Sequence, residues 1–192
     1  MKALILNGAR EWEKSLEPTH AVTADLLEKH DYEVESLLLH ELKVKNCTGC
    51  FGCWVKTPGI CVIDDIGRDI TKAVIQSDLL VYITPIMFGS VSYEIKKVAE
   101  RNIPLGLPFF EKINGEVHHQ SRYNKYPDVI VLGMLPEKHE EMENIFKKLV
   151  KRNELNWHSD KYLQSILYTT YDEEEIQNIV QDLLKSLEVK AC

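Results

Sequence analysis

Four of the five cysteines in this 192-residue chain lie in one stretch, NCTGCFGCWVKTPGICVIDD, from Asn46 to Asp65. Their spacing is Cys47-x2-Cys50-x2-Cys53-x7-Cys61. Thiolates bind soft metals, and a [4Fe–4S] cluster takes four of them. Zinc also accepts four, although its sites more often pair two separate two-ligand knuckles. A Cys-x2-Cys pair can instead act as a reactive dithiol, or the thiols can stay reduced and metal-free. In a reducing compartment such a group argues for metal or redox chemistry over structural disulfides. The fifth cysteine, Cys192, is expected to be a free, exposed thiol.

A second stretch with chemical potential is TPIMFGSVS, Thr84 to Ser92. A proline, two large apolar side chains and a glycine ahead of a helix can set backbone amides against the edge of a flat heteroaromatic ring. An ordinary strand-to-helix turn has the same composition. Ser90 and Ser92 are suitable N-caps for that helix. Asp64 and Asp65 directly precede another helix and read as its cap and first turn rather than as metal ligands. Trp12 and Trp54 suit stacking on a ring or simple packing equally. His20, His30, His40, His139 and His158 are scattered without ligand spacing, and no role is assigned to them.

The elements that must position these groups alternate. KALILNG is a short buried strand ending at the turn signal Asn7-Gly8. A helix is expected from Pro18 to His30, with Ala21, Ala24, Leu26 and Leu27 near one face. EVESLLLH reads as a strand, Ile66 to Gln76 as a helix and Leu79 to Thr84 as a central strand stopped by Pro85. A helix from Ser90 to Asn102 leads into a long loop, Ile103 to Tyr126. DVIVLGM is the next strand. A helix from Glu137 to Asn153 should turn Met142, Ile145, Phe146, Leu149 and Val150 inward. A strand at LQSILY and a helix from Asp172 to Leu187 follow. This order predicts one α/β domain over residues 1–192, with five parallel strands between two helical layers. The strand order 2-1-3-4-5, that of the flavodoxin-like folds, suits this count. Ligands then lie at the carboxyl ends of the strands, beside the switch between strands 1 and 3. The loops there are Asn7–Ser15, Pro85–Ser92 and Met134–Lys138, and the cysteine stretch emerges at the same end.

KALILNG, CTGCFGCWVKTPGICVIDD, SDLLVYITPIMFGSVSYEIKKVAERNIPL and PFFEKINGEVHHQSRYNKYP together resemble the NAD(P)H-dependent FMN reductases, in their multimeric-flavodoxin and iron–sulfur flavoprotein branch. The resemblance runs to about Asn153. It implies FMN at the strand ends, NAD(P)H as co-substrate, a homodimer or homotetramer sharing the flavin site, and electrons passed to a small-molecule or protein acceptor. The flavin would carry the reaction, with no catalytic side chain. The family's ring-contacting loop falls on Pro85, Ile86, Met87, Phe88 and Gly89. Its phosphate loop falls on Asn7, Gly8, Arg10 and Ser15, with Thr19 a further hydroxyl. Here, however, the hydroxyl-rich run is replaced by NGAREWEKSLEPTH, which crowds Glu11, Glu13 and Glu17 near a phosphate dianion. Many relatives with this cysteine block resemble plain flavin reductases. Metal-free thiols therefore stand first, a [4Fe–4S] cluster on Cys47, Cys50, Cys53 and Cys61 second, and zinc third.

Within the long loop, NGEVHHQSRYNKY gathers His118, His119 and Arg122, with Glu116 and Tyr123. They are expected to form a lid over the flavin or a subunit contact, meeting a pyridine-nucleotide phosphate or a substrate carboxylate. The bland alternative is a solvated loop. The formal charge of −7 argues against a nucleic-acid partner. No apolar run is long enough for a membrane span, and KALILNG is too short for a secretory core, so the cytoplasm is the expected compartment. The leading function is an FMN-dependent oxidoreductase of the flavin or quinone reductase type. An iron–sulfur flavoprotein in one-electron transfer and a cofactor-less binding module are the alternatives.

Overall fold

The structure, a computed structural model, describes residues 1–188, and Cys192 lies outside the described residues. In chain order the elements are β1 (Lys2–Asn7), α1 (Glu17–Lys29), β2 (Glu33–Leu38), α2 (Gly52–Val55), α3 (Ile66–Gln76), β3 (Leu79–Pro85), α4 (Tyr93–Arg101), β4 (Gly106–Ile113), β5 (Glu116–Ser121), β6 (Asp128–Leu135), α5 (Glu140–Glu154), β7 (Tyr162–Tyr168) and α6 (Glu173–Glu188). The main sheet runs β2-β1-β3-β6-β7, parallel throughout. This is the expected order 2-1-3-4-5 once the two strands of a separate hairpin are set aside.

The strands are apolar on both faces because helices cover both. Ala3 and Ile5 of β1 join Val81, Ile83, Ile130 and Leu132 under α1 and α6, which contribute Leu26, Leu27, Val180 and Leu184. Leu4 and Leu6 face the other way, with Leu80, Tyr82, Val129 and Val131, under Ile70, Val74, Ile95, Val98, Phe146 and Val150 of α3, α4 and α5. Near-continuous apolar runs such as LLVYIT are what a strand buried on both sides requires. No helix among the described residues is long and apolar enough to cross a membrane.

Three expectations need correction. Residues 103 to 126 do not form one long loop. They hold a 3-10 turn, Ile103–Leu105, and the β4–β5 hairpin. Asn114 and Gly115 both take positive φ, 52° and 84°. That is the geometry of a two-residue turn whose twist matches the strands it joins. In α1 the buried residues are Thr19, Val22, Thr23, Leu26 and Leu27, so Ala21 points outward. Ile145 is exposed to the same side of α5 that meets the loop after β3, while Glu143 is buried. A Tyr168 hydroxyl donating to Glu143 at 2.8 Å makes that burial tolerable, and it pushes the tyrosine up to about 12.

Candidate functional site

The carboxyl edge of β1 and β3 is built from two short loops that touch. Gly8 N–H donates to the Ile83 carbonyl at 2.8 Å. A Cβ on Gly8 would sit 2.4 Å from Ile95 Cγ1 and 2.5 Å from Ser92 Oγ, so the first loop can approach α4 this closely only at a glycine. Beyond it the chain turns twice, with Glu13 N–H donating to the Arg10 carbonyl and Glu17 N–H to that of Lys14. The Arg10 guanidinium lies over the Trp12 ring, 5.6 Å from its centroid. Helix α1 then begins at Leu16 without a side-chain cap. The Glu17 carboxylate stands in its first turn, the Glu17 N–H is taken by the Lys14 carbonyl and Pro18 has none to offer. Two polar atoms at this corner are buried without a hydrogen-bond partner: the Thr19 hydroxyl and one carboxylate oxygen of Glu13.

The loop after β3 is a tight turn. Met87 and Ser90 exchange backbone hydrogen bonds at 2.8 and 2.9 Å, while Phe88 and Gly89 take φ of 51° and 74°. The N–H groups of Phe88 and Gly89 take no part in these bonds. Phe88 stands 86% exposed. Gly89 backs onto Ile145, where a Cβ would come within 2.4 Å of that side chain. Ser92 N–H donates to Thr84 Oγ1 at 2.8 Å, and Ser92 Oγ caps α4 by accepting from Ile95 N–H at 3.3 Å. Between the two loops lies a cavity of about 340 Å³ lined by Arg10, Trp12, Glu13, Lys14, Ser15 and Met87. A neighbouring cavity of about 390 Å³ continues past Trp12 to His40, Ser92, Tyr93 and Glu94.

This cleft fits an FMN-like group. Its lining supplies Arg10, Lys14 and Ser15, which suit a phosphate. The turn after β3 supplies Met87, an apolar side chain that suits a flat ring. Glu13 lines the same cavity and opposes an anion there, and Glu11 and Glu94 line the neighbouring one.

The cysteine segment stands at the same edge and is held by charge. The Arg101 guanidinium, 1% exposed, donates to the Lys45 carbonyl at 2.8 Å, to Ile63 at 3.2 Å and to both Asp65 oxygens at 2.7 and 3.0 Å. It thereby ties the start and end of the segment to α4. Arg68 adds bonds to the carbonyls of Cys61 and Val62 and pairs with Asp64. Asp65 also caps α3, accepting from Gly67 N–H at 3.1 Å, as expected from its position. Burial alone would raise the Asp65 pKa, but the bonds from Arg101 and Lys45 N–H outweigh it and hold the carboxyl below its usual range. The indole N–H of Trp54 donates to the Gly106 carbonyl at 3.0 Å, and its ring stacks on Phe51. Trp54 is thus a packing residue between the cysteine segment and the hairpin.

The four thiols have unlike surroundings. Cys50 is exposed, and the Gly52 N–H and Thr48 hydroxyl push its pKa down. Cys53 is buried, and desolvation followed by the neighbouring Cys61, Cys47 and Cys50 pushes it up. Among the described residues, no three His, Cys, Asp or Glu side chains converge on a point that could hold a metal ion.

Of the residues singled out by sequence, Asn7, Gly8, Arg10, Ser15 and Pro85 to Gly89 gather on this edge. His118, His119 and Arg122 line neither cavity. His118 bonds Asn156 at 2.9 Å and faces Glu116 at 3.3 Å, and Glu116 is paired with Arg152. His119 packs between Trp54 and Phe110, and its carbonyl accepts from His158. Arg122 donates to the carbonyls of Pro104 and Gly106. All three fasten the hairpin to the body. Sequence reasoning passed over Arg101, Arg68 and His20, each of which organises a loop at the site.

No family model matches the chain. It is 27% identical over 152 residues to an iron–sulfur flavoprotein of Archaeoglobus fulgidus, covering 79% of this chain and 63% of that protein. It is 28% identical over 119 residues to an iron–sulfur flavoprotein of Methanocaldococcus jannaschii, covering 61% of each. The matched region therefore spans less than two-thirds of either curated relative. Among solved structures, an NAD(P)H:quinone oxidoreductase from Methanothermobacter marburgensis superposes with a TM-score of 0.70 at 11% identity, covering 100% of this chain and 98% of that one. An FMN-dependent NADH-azoreductase from Bacillus anthracis, in complex with FMN, gives 0.62 at 11%, covering 97% and 96%. The chain has the flavodoxin-like fold of NAD(P)H-dependent quinone and FMN reductases, and in sequence it is similar to iron–sulfur flavoproteins.

Proposed function

We propose that the chain is an FMN-binding, NAD(P)H-dependent oxidoreductase of the flavin or quinone reductase type. The observation that carries this reading is the cleft at the β1–β3 switch point, cationic at Arg10 and Lys14 and apolar at Met87. The names of its sequence and structural relatives point the same way. FMN, when bound, supplies hydride acceptance and electron transfer. The protein's part is positional. Arg10, Lys14 and Ser15 would hold the phosphate, Met87 would pack on the ring, and Gly8 keeps the two loops in register. The acceptor, whether quinone, free flavin or a protein, and a homodimeric or homotetrameric assembly in the cytoplasm belong to the same proposal. Exposed Phe109, Phe110 and Val117 on the hairpin offer apolar surface for a second copy.

The test is quinone reduction by NADH and NADPH with added FMN. Turnover that needs FMN is expected. Absence of turnover with either nucleotide, in protein that has taken up FMN, overturns the reductase assignment.

A second reading, an iron–sulfur centre on Cys47, Cys50, Cys53 and Cys61, is favoured by the spacing of the four thiols and by the names of both curated relatives. The donor set suits such a centre, which would supply one-electron transfer. The arrangement of the side chains does not, since among the described residues no three of them converge. Iron and sulfide analysis of protein purified without air decides between ligands and free thiols.

A further inference from the structure

His20 takes no part in the cleft lining, yet it stands behind the first loop at the junction of three elements. Its Nδ1 lies 2.8 Å from Asn7 Nδ2, and its Nε2 lies 3.1 Å from Ser36 Oγ. The Ala9 N–H donates to Asn7 Oδ1 at 2.8 Å. Because a backbone N–H only donates, the oxygen of the Asn7 amide must face Ala9, and its NH2 must face the imidazole. His20 Nδ1 is then an acceptor, and the ring proton sits on Nε2, pointing to Ser36. A neutral imidazole in one tautomer therefore links α1 to β1 and β2, and fixes the Asn7–Ala9 turn that starts the first loop.

A protonated ring would set Nδ1–H against the Asn7 NH2, two donors face to face. Either the Asn7–His20 bond breaks, or the amide flips and loses the bond to Ala9. We infer that His20 is a positioning residue for the phosphate end of the flavin cleft, and that its protonation releases the Asn7–Ala9 turn and weakens binding of a phosphate-bearing flavin there. This rests on the FMN reading above for the ligand, but not for the coupling between His20 and Ala9. The groups facing the ring from β1 and β2, Asn7 and Ser36, are uncharged. On α1 its neighbours one turn away are Glu17, Thr23 and Ala24, of which only Glu17 carries charge. Burial holds the imidazole pKa below its ordinary 6.5.

The first readout uses flavin-free wild-type protein. The Ala9 amide resonance and the His20 ring protons are followed by NMR from pH 8 to pH 5. They are expected to titrate together below pH 6.5, with Ala9 losing exchange protection. In His20→Gln the Ala9 amide should stay still over this range. The second readout is the FMN dissociation constant across the same range. FMN's own phosphate also takes up a proton at low pH, so the wild-type curve is compared with that of His20→Gln. The wild type should weaken by about five-fold more, the equivalent of one lost hydrogen bond. An Ala9 amide that ignores the His20 titration, or identical FMN curves for the two proteins, overturns the inference. Failure of FMN to bind at any pH overturns the functional reading and the flavin half of this one, while the NMR titration decides the coupling on its own.

Discussion

Two irregular segments share the carboxyl edge of the sheet, and they are held by opposite means. The cysteine segment hangs on charge, with Arg101 and Arg68 binding the carbonyls of Lys45, Cys61, Val62 and Ile63 and the carboxylates of Asp64 and Asp65. The first loop hangs on neutral groups: the Asn7–Ala9 turn, His20 and the close approach of Gly8 to α4. A buried guanidinium is always charged and does not release its partners near neutral pH. An imidazole–amide pair sits near its switching range. The first clamp therefore persists across neutral pH, while the second depends on the protonation state of one imidazole.

The largest effect should come from Arg101→Ala. It leaves the buried Asp65 carboxylate without its charged partner and frees the carbonyls of Lys45 and Ile63, a change that typically costs about 3–5 kcal/mol. Urea unfolding should show that loss. A loss below about 1 kcal/mol would mean that the cysteine segment is held elsewhere.

That clamp also marks the limit of what the sequence discloses. Five strands and their order were legible because apolar runs such as KALILNG and LLVYIT have only one use in an α/β chain of this length. Asp65 was legible as a cap because a cap acts on its own helix. Arg101 was not, because it looks like a solvated charge at the end of α4 while its partners lie 36 to 56 residues upstream. His20 was missed for the same reason, since Asn7 and Ser36 come from two different strands. The hairpin was a different failure. Its Asn114-Gly115 pair is a hairpin-turn signal, but Pro104 and Pro108 just before it are residues that strands seldom hold.

Gly8→Ala attacks the first loop where it is tightest. The new methyl must push aside Ile95 and Ser92, for an expected cost of about 1–3 kcal/mol and weaker FMN binding. An unaffected denaturation midpoint would show that the loop is looser than its contacts imply. Ser92→Ala removes the cap of α4 and should cost about 1 kcal/mol in the same assay. Glu13→Gln should instead tighten FMN by about three-fold, since it removes a carboxylate from the cleft without changing shape. Weaker binding in that variant would place Glu13 among the ligand's own contacts.

The smallest effect is on stability against pH. The folded chain holds His20 below its unfolded pKa of 6.5, so the unfolded chain takes up the proton first. The stability associated with this group is fully present above pH 6.5 and declines as pH falls below it. His20→Gln should flatten that part of the curve, and a slope unchanged by the substitution would assign it to other groups.

The central claim is that the cleft between the first loop and the Met87–Ser90 turn binds FMN through its phosphate. Titrating flavin-free wild type and Arg10→Glu with FMN, by quenching of flavin fluorescence, tests it most directly. Saturable binding by the wild type is expected, with a loss of about ten-fold or more in the variant, as for a broken charge-assisted hydrogen bond. No binding by the wild type, or equal affinity in the two, would contradict the account.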